Sequence, residues 1–116
     1  MTRNHEIATE ILRQLGGNRF IAFTGAKEFV EIDNGLRFKI GRNKSKTNRI
    51  EITLNGSDLY DMEFIAYRPY SVKVDHKKME VRTIEEKRET VRKFEYVFFD
   101  QLQELFTDVT GLYTHF

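Results

Sequence analysis

The chain contains no cysteine, which removes disulfides, thiol nucleophiles and thiolate-ligated zinc together. A reducing compartment suits such a chain, and a cytoplasmic location is expected. Proline occurs once, which argues against extended linkers or disordered arms. No stretch approaches the roughly 20 apolar residues that a spanning helix needs. Charges interrupt the N-terminal MTRNHEIATEILRQLGG throughout, so neither a membrane span nor a secretory leader is expected. An excess of one charge is missing too: 19 Lys and Arg face 18 Asp and Glu, a formal charge of +1. That balance excludes a uniformly basic nucleic-acid coat and an acidic DNA mimic, while leaving local patches open.

What is present suits one domain spanning residues 1–116. A length of 116 residues supports a single core, and 40% hydrophobic content with ten Phe can fill it. Ile7, Ile11, Leu12 and Leu15 form one apolar helical stripe, with Thr2 or Asn4 placed to cap its start and Gly16 to end it. Arg19 to Thr24, RFIAFT, carries bulky apolar residues at both alternating sets, the pattern of a central strand covered on both faces. Gly25 then turns the chain, and the pattern leaves the element type of Lys27 to Ile32 open.

Three segments alternate with period two: Leu36, Phe38 and Ile40; Ile50, Ile52 and Leu54; Tyr60, Met62, Phe64 and Ala66. Loops containing Gly41 and then Asn55-Gly56 join them, which predicts an antiparallel meander with one buried face. A further strand is expected at Tyr70 to Val74. Near the C-terminus Thr83-Ile84-Glu85-Glu86 fits a capping box. Phe94, Phe98, Leu102, Leu105 and Phe106 form a stripe that predicts a helix over about 94–107, with a start as early as Ile84 left open. Residues 76–93 therefore read as a charged insertion or a helix extension. Thr110-Gly111 ends the helix, and LYTHF follows as a tail able to dock. The expected fold is α+β: a four- to five-stranded antiparallel sheet with N- and C-terminal helices packed on one face, the other left wet.

Chemistry is sparse in these residues. Thr24-Gly25-Ala26-Lys27 lacks the second glycine and the length of a phosphate-binding loop, so a turn is the stronger reading. GRNKSKTNR, residues 41–49, crowds Arg42, Lys44, Lys46 and Arg49 among small polar residues, as a loop lying along a phosphate backbone would; a solvated hairpin tip is the plainer alternative. The wet face carries Arg37, Lys39, Arg49, Glu51, Thr53, Asp61, Glu63, Ile65 and Tyr67, with Arg68 and Tyr70 at its end. Those aromatics beside Arg37 and Lys39 could stack bases, but Glu51, Asp61 and Glu63 oppose a nucleic-acid backbone, and cross-strand ion pairing explains the face more simply. His5, His76 and His115 lie far apart, without the spacing of a helical metal site. Ser45, Ser57 and Ser71 have no nucleophile context. No catalysis, metal or cofactor is expected.

LGGNRFIAFTGAKEF, DLYDMEF and the terminal TGLYTHF together resemble a group of small, mostly uncharacterised proteins of bacteriophages, plasmids and integrated elements. The likeness covers residues 11–40, 50–66 and 99–116, with about 76–93 standing as an insertion. It implies a mobile-element origin and an accessory role, and brings no catalytic or binding residue with it. Two functions fit: a nucleic-acid-associated binding protein using the 41–49 loop helped by Arg37 and Lys39, or a modulator of a host protein complex such as a defence-system inhibitor. Its partner is accordingly DNA or RNA, or a host protein, and the chain itself a monomer or homodimer.

Overall fold

The computed structural model describes residues 3–114. Along the chain run α1 (Arg3–Leu15), α2 (Asn18–Thr24), β1 (Lys27–Ile32), β2 (Gly35–Lys39), β3 (Arg49–Leu54), β4 (Tyr60–Arg68), β5 (Ser71–Asp75), β6 (Glu80–Ile84), β7 (Lys87–Val97), a 3-10 turn (Phe99–Gln101) and α3 (Leu102–Thr110). Five strands form one antiparallel sheet in the order β1-β2-β3-β4-β7, while β5 and β6 pair apart from it as a ribbon. The expected α+β architecture is therefore present, with helices from both ends of the chain.

The period-two segments place one face inward. Leu36, Phe38, Ile50, Ile52, Met62 and Phe64 are buried against Ile7, Ile11 and Leu15 of α1, Phe20 of α2, and Leu102, Phe106 and Val109 of α3. Phe20 is the hub, with ring centroids 5.5 Å from Phe38 and 5.0 Å from Phe106 in edge-on geometry. Leu112 packs on this core and Thr114 donates to Gln103 Oε1 at 2.9 Å, so the tail docks through these two residues while Tyr113 stays exposed.

Three expectations are corrected. RFIAFT is the helix α2, not a central strand. Its buried residues are Phe20 and Thr24, four apart, while Ala22 and Phe23 are exposed; so short an apolar run does not distinguish the two periods. Second, the predicted helix over 94–107 is strand to Val97 and helix from Leu102, so Thr83 to Glu86 caps nothing. Residues 76–93, an insertion or helix extension from sequence, comprise the ribbon's turn, β6 and most of β7. Pairing along the whole of β4 overrides the helix propensity of EEKRETVRK. Third, Asn4 lies within α1 rather than at its cap, and its Oδ1 accepts from the Asn34 backbone N–H at 2.9 Å, tying the helix to the β1–β2 turn. Thr2 and His115 lie outside the described residues.

Of the strand order expected, Tyr70–Val74 does form a strand, β5, but in the ribbon rather than the main sheet. The ribbon is exposed on both faces over most of its length, a projecting arm rooted where β4 and β7 end. It contributes to a long molecule, 54 Å against 33 and 24 Å. Among the described residues no helix is long and apolar enough to cross a membrane.

Candidate nucleic-acid interface

The loop between β2 and β3 alternates in exposure as if it were a strand. Arg42, Lys44 and Lys46 are exposed, Asn43 and Ser45 are half-buried, and Thr47 is buried. The small polar residues bond to one another. Asn43 Nδ2 donates to the carbonyls of Gly41 at 2.9 Å and Thr47 at 2.6 Å, and its Oδ1 accepts from Ser45 N–H at 3.0 Å. The Ser45 hydroxyl donates to Thr47 Oγ1 at 2.8 Å and accepts from Thr47 N–H at 3.2 Å. These groups set the loop's shape and are spent in doing so, as Asx-type turns commonly are. The loop is also tied to its surroundings, Gly41 N–H reaching Thr24 O at 3.4 Å and Lys44 N–H reaching Thr110 O at 3.3 Å.

The cations are then left outward. Among the described residues Arg42, Lys44 and Lys46 have no carboxylate within ion-pairing distance. The Lys44 stem lies along Gly111 at the C-terminus of α3, the end of a helix where positive charge is favoured.

On the wet face, register places Lys27, Lys39 and Arg49 opposite one another across β1, β2 and β3. Like charges so placed are destabilising. Lys39 is relieved by Glu28 at 2.7 Å, and that bond holds the Glu28 carboxyl below its usual range. Arg49 stacks its guanidinium 3.8 Å from the Tyr67 ring centroid. Arg37, Lys39 and Arg49 line one depression of about 300 Å3 with Glu28, Val30 and Phe38. The structure thus brings Arg37, Lys39 and Arg49 together and adds Lys27, which periodicity could not assign because the element type of 27–32 was open.

In the next row of the face, register sets Arg37, Glu51, Glu63 and Lys93 side by side. Glu51 and Glu63 are direct cross-strand neighbours. Arg88 of β7 bridges them, with Nη2 2.7 Å from Glu51 Oε2 and Nη1 3.2 Å from Glu63 Oε2, while the Thr90 hydroxyl also donates to Glu63. Burial pushes the Glu63 carboxyl up, but these hydrogen bonds and the charges of Arg88 and Lys93 outweigh it and hold it below the ordinary 4.5. The bonds to Glu51 and Glu63 raise Arg88 in turn. Asp61 accepts from Asn55 Nδ2 and Tyr96 N–H, both at 3.2 Å. The face's acids are engaged in bonds that finish the sheet.

Arg68 donates through Nε and Nη2 to the Glu85 carbonyl, at 3.3 and 3.1 Å, which fastens the root of the arm. Tyr67 carries Arg49 on its ring, and Tyr70 remains 56% exposed.

Thr24-Gly25-Ala26-Lys27 is a helix end. The Thr24 hydroxyl donates to Phe20 O at 2.6 Å and accepts from Ala26 N–H at 3.2 Å, and Gly25 N–H caps α2 on Ile21 O. The Thr24 hydroxyl and the Gly25 and Ala26 N–H groups are occupied, and the turn lies at the negative end of a helix, which disfavours phosphate. Among the described residues no His, Asp and Glu cluster as metal ligands would. No family model, curated protein or solved structure matches this chain.

Proposed function

We propose that this chain is a non-enzymatic accessory protein that binds nucleic acid through its basic loop. The observation carrying the reading is the alternation within residues 42–47: the side chains of Asn43, Ser45 and Thr47 turn inward and order the loop, while Arg42, Lys44 and Lys46 project with no acidic partner among the described residues. A preordered row of cations meets phosphate without a large ordering cost. Lys27, Lys39 and Arg49 add a cationic rung on the sheet, starting at Arg49 where the loop enters β3. Contacts made by such cations go to the phosphate backbone, so the binding tolerates sequence. The sequence resemblance to mobile-element proteins supports an accessory role of this kind.

Fluorescence anisotropy with single- and double-stranded DNA and RNA across salt concentrations tests the reading. Affinity should fall steeply as salt rises, and joint replacement of Arg42, Lys44 and Lys46 by Gln should flatten the log–log slope by roughly two to three. No measurable binding near 100 mM salt, or binding indifferent to salt, overturns it.

A specific feature favours the second reading, a modulator of a host protein complex such as a defence-system inhibitor. Phe98, Phe99 and Tyr113 are 55%, 62% and 72% exposed. Phe99 and Tyr113 also line a groove of about 850 Å3 between α1 and α3, with Asp100, Glu104 and Asp108. Exposed aromatics of this size mark contact surfaces. A host complex whose capture is lost on Phe99→Asp would support this reading; capture unaffected by that change would oppose it.

A further inference from the structure

The arm's internal register is at odds with its charges. Along β5 and β6, Lys73 faces Arg82, Val74 faces Val81, and Asp75 faces Glu80. Both charged rungs set like against like, an arrangement that costs stability in an antiparallel pair. None of these charged side chains forms an ion pair among the described residues. The Asp75 carboxylate instead accepts from the backbone N–H groups of Lys77 and Lys78 in the turn.

Each strand is nevertheless complementary to itself. Glu80-Val81-Arg82 laid antiparallel on a second Glu80-Val81-Arg82 sets acid against base twice, with valine on valine at the centre. Repelling partners within one chain become attracting partners between two. We propose that the arm is a self-association element in which a second copy of this chain pairs along the β6 edge, antiparallel and centred on Val81.

The β6 edge suits this better than the β5 edge. It leads into β7, an outer strand of the main sheet, whereas β5 leaves β4 where Asn48 and the basic loop abut it. Pairing there makes four strands of two, and an isolated two-stranded ribbon is marginal in water. It also aligns Val74, Val81 and the second copy's Val81 and Val74 in one row, where each is now 52% or 67% exposed. A two-fold axis through Val81 relates the copies, so the interface closes as a dimer.

Sedimentation velocity on the full chain without nucleic acid, over a wide concentration range, tests this independently of the proposed function. The chain should show a monomer–dimer equilibrium. Glu80→Arg and Arg82→Glu should each weaken the dimer roughly tenfold or more, because each converts both symmetry-related contacts to repulsion. The double exchange Glu80→Arg/Arg82→Glu should restore it. Each single change also places opposite charges within the chain's own ribbon, against Asp75 or Lys73, so thermal unfolding should be unchanged or raised. A monomer at every concentration overturns the proposal. So does a dimer indifferent to either single reversal, or one that the double exchange fails to recover.

Discussion

Asn48 holds the backbone of Tyr67 by both of its polar groups, with Nδ2 2.7 Å from the carbonyl oxygen and Oδ1 2.8 Å from the amide nitrogen. A side-chain amide thereby takes the place of a strand residue and continues the β3–β4 ladder one step past Arg49 and Ile65. It joins the basic loop to the root of the arm. Asn48→Asp keeps the acceptor and loses the donor, setting a carboxylate against the Tyr67 carbonyl. A loss of about 1–2 kcal/mol is expected, with faster hydrogen exchange at the Tyr67 amide. An unchanged exchange rate would show that the loop is held by other contacts.

Arg88 is the counter-charge that lets Glu51 and Glu63 stand opposite each other. Arg88→Met leaves two neighbouring carboxylates half-buried without it, and about 1 kcal/mol of stability should be lost at neutral pH. The effect has a direction in pH. Glu63 titrates below 4.5 in the folded chain, so the unfolded chain binds protons first as pH falls through that value. The stabilisation is thus complete above the unfolded value and lost as pH drops through the folded one. Urea unfolding between neutral pH and pH 3 should show a shallower acid decline for Arg88→Met than for the parent. Parallel curves would remove Arg88 from the account.

Arg88 also shows where the sequence ran out. The three alternating strands were legible because each buries one face, although Ile65, expected on the wet face of β4, is buried as well; the glycine stops at Gly16 and Gly111 were legible too. The acidic half of the wet face was legible only as residue types, since the residue that bridges it comes from β7. That strand was hidden by its run of charges; the β-branched and aromatic residues Thr90, Val91, Phe94, Tyr96 and Val97 were the available signal. Two bulges against β4 space Val91, Phe94 and Val97 three apart, a helical spacing, although all three pack on the core. In the loop, charge was readable, and the period-two interleaving of Asn43, Ser45 and Thr47 with the cations was the available signal for their inward turning.

Gly35 begins β2 directly after the turn and has no room for a side chain. A Cβ there would collide with the Ile52 carbonyl oxygen and the Thr53 methyl group on β3. Since the obstacle includes backbone, relief requires β2 and β3 to part. Gly35→Ala should cost about 1–3 kcal/mol, read as a lower urea midpoint. Gly56→Ala is the control: its Cβ would meet nothing within 4 Å, so the midpoint should stay put.

Asn43 separates loop order from loop charge. Its amide bonds the Gly41 and Thr47 carbonyls and the Ser45 N–H, yet it carries no charge and faces inward. If binding depends on cations held in place, Asn43→Ala should weaken nucleic-acid affinity several-fold, through an ordering cost of about 0.5–1.5 kcal/mol. The salt slope should not change, because the same number of phosphates is still neutralised. Replacing Lys46 by Gln should do the reverse, lowering the slope by about one while the loop keeps its shape. If Asn43→Ala leaves affinity intact, phosphate is met by flexible lysines and the loop's internal bonds serve folding alone.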